Sequence, residues 1–400
     1  MKNELSNEQG VENFGVCAPK GFKINGLCER GEDGAEKGYT LLLSERRCSA
    51  AGVCAVSVKP TAPVYITKKH LASGYVRGVF VNSGNALTYA DNGEKLARNI
   101  CSVVGQYAKI STDEILFCST GRIGNSFDIT DLESVLPSLV GGLGQDAIHE
   151  ESAIKAFSSE NEPAKQLSAT FLLGDYYPCR LGAMFKGGKH VCPNMATTLI
   201  LLTTDVNISP EMLQRALLAE TKETFNLLNV DGVSSPNDTV CILANGCAGN
   251  YRIDVPDSEY KKFAKALHEL AVRICNMLAL GAKGKRFACE AVGGISKRVS
   301  RSVASSIVGA QRIKEDLQKG TLNVESILYA IAATEYAEES SAVKLNLLSG
   351  NKAFVLYEDG RITPTTDGFF KDFLDAEEIC LRILLGNGNY SARAITTLSV

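Results

Sequence analysis

The chain has 400 residues, 45% of them hydrophobic and 22% charged, a balance that supports a sizeable core and excludes a disordered or coiled-coil chain. The formal net charge is −3 and Lys and Arg are scattered rather than gathered into a stripe, so there is no electrostatic footprint for nucleic acid and small-molecule chemistry is the expectation. Thirteen cysteines run from Cys17 to Cys380 with no pair at the two-residue spacing of structural zinc, which reads as a reduced protein with no metal site. The N-terminus lacks the apolar segment of a signal peptide, and no uncharged apolar run reaches the ~18 residues of a membrane span. A soluble, cytoplasmic protein is therefore expected, with no membrane contact.

In chain order, the first ninety residues read as short strands around Leu41, Cys54, Tyr65 and Val79. Helical periodicity follows in GEKLARNICSVVGQYA, then an apolar strand from Ile115 to Gly121. Ser158 to Lys165 is polar and reads as a loop, after which ATFLLGDYYPCRLGAMFKGG reads as strand, turn and strand. Thr197 to Thr204 is an apolar, β-branched run suited to a buried strand. Ser209 followed by Pro210 marks a helix start, because Ser caps free N–H groups and Pro at the first helical position loses nothing. A second helix from about Ser258 places Phe263, Leu267, Leu270, Ile274 and Met277 on one face, and a third covers Val299 to Leu317. Asp359-Gly360 is a hairpin signal, and two more strands flank Gly386 to Gly388. The class is mixed α and β, with clustered strands.

Three segments carry candidate chemistry. In KGGKHVCPNMATTLILLTTD, Lys186 to Asp205, glycines and a proline turn lead into a buried strand whose first residue is Thr197, preceded by Ala196. A hydroxyl placed there can attack the preceding carbonyl, and hydrolysis of the resulting ester frees an α-amine, whose unperturbed pKa of about 7.7–8.0 lets it act as the general base. CSTGRIG, Cys118 to Gly124, ends a strand with Thr120 and Gly121, a hydroxyl and a backbone N–H that can face an oxyanion. NVDGVSSPNDTVCILANG contributes Asp231, Asn237 and Asp238. Taken singly, Thr197 reads as an ordinary strand residue, Thr120-Gly121 as a strand-closing turn, and the acidic and amide residues as turn stabilisers, the same reading that NSGNA at Asn82 to Ala86 receives.

Taken together and in order, with GFKINGLCERG and APVYITKKHL, these segments resemble the ornithine acetyltransferase family, also called bifunctional glutamate N-acetyltransferases, over nearly the whole chain. The resemblance implies an α+β fold of layered helices and mixed β-sheets, of the ornithine acetyltransferase (Ntn-hydrolase-like, DmpA/OAT) type. It implies self-cleavage between Ala196 and Thr197, giving an α subunit of residues 1–196 and a β subunit of residues 197–400 that begins with the nucleophile. It implies oxyanion donors at Thr120 and Gly121, and substrate contacts at Lys186, Ser158 and Ser159, the two serines standing where the family has threonines. The implied reaction moves an acetyl group from N-acetylornithine, or from acetyl-CoA acting as a substrate, to glutamate through an acetyl-enzyme ester on Thr197, within arginine biosynthesis. No cofactor and no metal is implied. The implied partners are small amino-acid substrates and a second αβ pair, in an α2β2 heterotetramer.

The chain departs from the family pattern at Lys189 and His190, and at Ala282, which replaces an acidic residue beside Lys283 and Lys285. It also ends at Val400, before a tail that contacts substrate in the family. These departures predict weaker recognition of a basic donor such as ornithine, unless Glu290 or another acidic residue supplies the charge. Two alternatives stay open: an amidase-type hydrolase using the same nucleophile, and a diverged paralogue that binds without catalysis.

Overall fold

The structure, a computed structural model, describes residues 15–30, 36–55, 60–88, 92–123, 127–158, 163–174, 176–187, 198–228, 235–281, 284–334, 343–364, 371–374 and 376–399. The chain folds as two compact units, the first made of Met1–Gly187, Met195–Glu220 and Ser235–Ile274, the second of Gly188–Asn194, Thr221–Ser234 and Cys275–Val400.

The first unit holds strands β1 (Phe22–Arg30), β2 (Glu36–Cys54), β3 (Tyr75–Asn85), β4 (Ile115–Arg122), β5 (Lys165–Leu173), β6 (Tyr177–Lys186), β7 (Leu199–Thr204) and β8 (Thr239–Ala244). Its helices are α1 (Ala62–Leu71), α2 (Gly93–Ala108), α3 (Ile129–Gly141) and α4 (Ala147–Phe157), with most of α5 (Pro210–Glu223) and α6 (Ser258–Gly281). The strands form one mixed sheet in the order β4-β3-β2-β8-β7-β6-β5, with β1 added on β2. β3 runs parallel to β4 and β7 parallel to β8, while the other pairs are antiparallel.

Alternate residues of the same strands enter two different cores, as the two-residue strand period requires when both faces are buried. Leu42, Val79 and Leu116 pack with Phe157 of α4 and with Met184, Leu201 and Leu243 from the far half of the sheet. Leu41, Phe80 and Phe117 pack instead with Ile100 and Val104 of α2 and Leu132 and Leu136 of α3. The first of these cores joins strands from both halves of the strand order on one face, and the hydrogen bond from Lys186 of β6 to Ser83 of β3 requires the sheet to curl about that face.

Helix α2 occupies the span that the periodicity predicts, and α6 buries Phe263, Leu267, Leu270 and Ile274 on one face while Met277 is partly exposed. The segment around Tyr65 is not a strand but α1: extended Thr61 and Pro63 open the helix, and Lys68, Lys69 and His70 in its last turn suit the negative end of the helix dipole.

The second unit holds β9 (Gly284–Gly294), β10 (Lys344–Ser349), β11 (Lys352–Glu358), β12 (Arg361–Ile362), β13 (Glu378–Leu384) and β14 (Tyr390–Ser399). Its sheet has the order β12-β11-β10-β13-β9-β14. Asp359 and Gly360 have φ of 49° and 77°, the two left-handed residues of the expected hairpin turn between β11 and β12. The predicted Val299–Leu317 helix is two helices, α7 (Lys297–Gly309) and α8 (Gln311–Gln318), because Ala310 is extended at φ −71°, ψ 109°. With α9 (Val324–Ala332) and the short α10 (Lys371–Leu374) they cover one core, in which Phe287, Val303, Ile307, Ile327, Leu347 and Leu381 meet. Both units are layers of helix on mixed sheet, the α+β class expected.

Candidate active site

The parallel strands β3 and β4 end side by side, with Ser83 opposite Thr120 and Gly84 opposite Gly121. Both glycines have left-handed φ, 128° and 124°, and a Cβ on Gly121 would lie 2.3 Å from the carbonyl carbon of Gly84. Any side chain at Gly121 would drive the two strand ends apart. Thr120 is 8% exposed, and its hydroxyl has no hydrogen-bond partner among the described residues. A buried polar atom left unpaired costs about 1–3 kcal/mol, so among the described residues this hydroxyl stands out as a donor with no fixed acceptor.

The strand ends are held by a small polar network. Asn82 Nδ2 donates to the Asn85 carbonyl at 2.8 Å and to Ser119 Oγ at 3.0 Å, and Ser119 Oγ donates to the same carbonyl. Asn237 Nδ2 donates to the Ala86 carbonyl at 2.6 Å, while its Oδ1 is buried without a partner among the described residues.

Lys186, the last residue of β6, is 1% exposed. Its ammonium donates to Ser83 Oγ at 2.9 Å and to the Phe157 carbonyl at 2.6 Å, and stands 5.0 Å from the centre of the Phe157 ring. Three strands separate β6 from β3 in the sheet order, so this bond crosses the curled sheet and brings the charge beneath the β3 end. Neutral acceptors and a ring face compensate part of the desolvation of the ammonium.

Thr198 is clamped on both sides of its backbone. Its N–H donates to Asp238 Oδ1 at 2.5 Å, and its carbonyl accepts from the Thr239 N–H at 3.1 Å. Asp238 is 1% exposed, and its own carbonyl accepts from Ala55 N–H at 2.9 Å. Thr197 and Ala196, with the rest of 188–197, lie outside the described residues, so the structure places the residue immediately after the expected nucleophile and not the nucleophile itself.

Of the expected site residues, Thr120, Gly121 and Lys186 converge on this end of the curled sheet through Ser83. Ser158 lies at the same corner, but its hydroxyl donates to the Ile154 carbonyl at 2.7 Å and accepts from Ala164 N–H at 2.9 Å, closing α4. Ser159, His190, Ala282 and Lys283 lie outside the described residues. In the second unit, Lys285 Nζ donates to the Leu374 carbonyl at 2.5 Å, and Glu290 is paired with Arg382 at 2.8 Å and Arg393 at 3.8 Å. Glu290 is therefore already neutralised by two guanidinium groups. Sequence reasoning gave Asn82 and Asp238 only turn roles and did not single out Ser83 and Ser119; hydroxyl and amide residues beside glycines were the available signal.

Among the described residues no group of three or more His, Cys, Asp and Glu side chains could hold a metal ion. Burial pushes the thiols of Cys48, Cys101 and Cys275 up to about 12, so they stay protonated and un-nucleophilic near neutral pH. Among the described residues this end offers hydroxyls, backbone donors and the buried Lys186.

Sequence similarity to known proteins extends over most of the chain. A sequence profile described as the ArgJ family matches residues 26–398. The arginine biosynthesis bifunctional protein ArgJ 1 of Clostridium acetobutylicum is 28% identical over 383 residues, covering 93% of this chain and 91% of its own. The glutamate N-acetyltransferase of Methanopyrus kandleri is 29% identical over 381 residues, covering 94% and 95%. Among solved structures, the arginine biosynthesis bifunctional protein of Bacillus halodurans is 28% identical with a TM-score of 0.44, covering 49% of this chain and 91% of that one. The chain belongs to the ArgJ family.

Proposed function

We propose that the chain is a self-processing acetyltransferase of arginine biosynthesis, with Thr197 as the nucleophile. The observation that carries the reading is the end of β4, where the buried Thr120 hydroxyl is unpartnered beside Gly121, at the corner that Lys186 also reaches. In this reading the Thr197 hydroxyl attacks the carbonyl of Ala196, and the ester that forms is hydrolysed to leave residues 1–196 and 197–400. The freed α-amine then removes the proton from its own hydroxyl as that oxygen attacks the acetyl carbonyl of the donor. Thr120 Oγ–H and the Gly121 N–H supply hydrogen bonds to the oxyanion, which accumulates negative charge only on the way to the tetrahedral state. Collapse expels the donor amine and leaves an acetyl ester on Thr197, which glutamate then attacks. Lys186 adds a fixed positive charge at the substrate end. The clamp on Thr198 keeps the following residue still during both attacks.

Support for the substrate class comes from the relatives, one of which is named a glutamate N-acetyltransferase and others bifunctional proteins of arginine biosynthesis. N-acetylornithine is the donor in this reading and acetyl-CoA a second donor, used as a substrate and not as a resident cofactor. The processed fragments assemble as α2β2 in the cytoplasm. Ala282, in place of the acidic residue of the family pattern, weakens the preference for a basic donor. The test is intact mass followed by trapping. Purified protein is expected to give two fragments split at Ala196/Thr197 and, with N-acetylornithine, an acetyl adduct on the second. A single 42.9 kDa chain after prolonged incubation would overturn the reading.

A further inference from the structure

Between α1 and α2, away from the residues described above, lies an open groove of about 890 Å³. Lys69 and His70 line it from α1, Lys95, Arg98 and Asn99 from α2, and Asp113 from the turn before β4. The volume is that of a small-metabolite site.

Its charge is one-sided. Lys69, Lys95 and Arg98 are exposed and make no ion pair among the described residues, in contrast to Lys37, paired with Asp131 at 2.6 Å, and Arg47, paired with Glu114 at 2.7 Å. Among the described residues the single lining carboxylate is Asp113, whose Oδ1 lies 3.4 Å from His70 Nε2. Among the described residues the groove thus sets three unpaired cations against one acid, with amide and hydroxyl groups between them.

Its wall is also rigid. His70 is 3% exposed, and its Nδ1 sits 2.6 Å from the Ile115 carbonyl. One turn earlier the Thr67 hydroxyl donates to the Phe117 carbonyl at 2.7 Å and accepts from the Phe117 N–H at 2.9 Å. α1 is therefore pinned to β4, and the backbone that carries Lys69 need not reorganise to meet a ligand, which reduces the entropic cost of binding.

We infer that this groove binds a small, multiply charged anion, such as a phosphorylated or polycarboxylate metabolite, at a site separate from the proposed catalytic end. A flexible point charge from each lysine and the planar fork of Arg98 suit clustered anionic oxygens, and the aliphatic part of the described lining is confined to Ile66 and Leu96.

Isothermal titration of the full purified protein with pyrophosphate, and separately with citrate, at fixed ionic strength tests this. Saturable binding of at least one probe is expected, accompanied by a rise in Tm with probe concentration. Comparison of the two probes distinguishes a phosphate from a carboxylate ligand. The Lys95→Glu/Arg98→Glu variant should weaken binding roughly tenfold or more, since two charge-assisted contacts become repulsive. Lys69→Gln, on the other helix, should weaken it less and serves as the check if the double variant is misfolded by circular dichroism. Absence of saturable heat with either probe, or equal affinity in wild type and a folded variant, would overturn the assignment.

Discussion

Replacing Thr120 by Val separates the catalytic from the structural meaning of its hydroxyl. Val keeps the shape and β-branching and removes only the oxygen, which is buried and makes no hydrogen bond among the described residues. An unsatisfied buried polar atom costs about 1–3 kcal/mol, so relieving it should stabilise the fold on the order of 1 kcal/mol and raise Tm by about 2–4 °C. If the same hydroxyl serves the oxyanion, turnover should fall about 10²–10³-fold, the usual loss for one such donor. The two effects have opposite signs, which a general packing defect cannot produce. Calorimetry and initial rates with N-acetylornithine and glutamate read them on the same preparation. Wild-type turnover, or a Tm lowered by several degrees, would refute the reasoning.

Asp238→Ala removes the acceptor of the Thr198 N–H and should slow the appearance of two fragments by roughly tenfold to a hundredfold, the equivalent of a buried charge-assisted bond of about 1.5–3 kcal/mol; unchanged processing by timed intact mass would show that the clamp is dispensable. Thr396→Val, at a fully buried hydroxyl of β14 with no partner among the described residues, should leave Tm unchanged or raised, and a clear loss would mean that the oxygen is satisfied in solution. Glu150 is fully buried and accepts N–H bonds from Gly15 at 2.8 Å and Cys17 at 2.7 Å; burial raises its pKa above 4.5 against the pull of those bonds. Its stabilising contribution is therefore complete below about 4.5 and is lost as pH rises through the raised folded value. The Tm advantage of wild type over Glu150→Gln should shrink as pH is raised from there, and an advantage that grows instead would mean that the ionised carboxylate is the stabilising form.

Local signals decided which elements were legible. Helix α2 and the buried face of α6 follow from their apolar period, and the hairpin at Asp359-Gly360 from two residues that tolerate left-handed φ. The segment around Tyr65 misleads because Val64, Tyr65, Ile66 and Thr67 all favour strands, while the Pro63 start and the basic last turn favour a helix. At the candidate site, Thr120-Gly121 is visible as a polar end to an apolar strand. The contact between Lys186 and Ser83 is not, because it depends on the sheet curling until strands more than a hundred residues apart meet. Asp238 reads as a turn residue for a similar reason: its partner is a backbone N–H, and backbone donors leave no mark on sequence.

The strand order bears on how the chain could be divided and still behave as one object. Strand β6 lies before residue 196 and β7 after it, yet they share six register pairs from Leu181–Thr204 to Lys186–Leu199. Strand β2 shares six more with β8, from Ser49–Ala244 to Cys54–Thr239. A nick between 196 and 197 would leave both ladders closed, and the two pieces would remain one sheet. Pulling them apart would open two strand edges on each piece and expose the apolar residues of β6, β7 and β8 to water, so neither piece is a domain that could be made alone. Reconstitution from separately produced halves should then behave as fragment complementation, with structure returning only when both are present, and dilution after processing should not dissociate them.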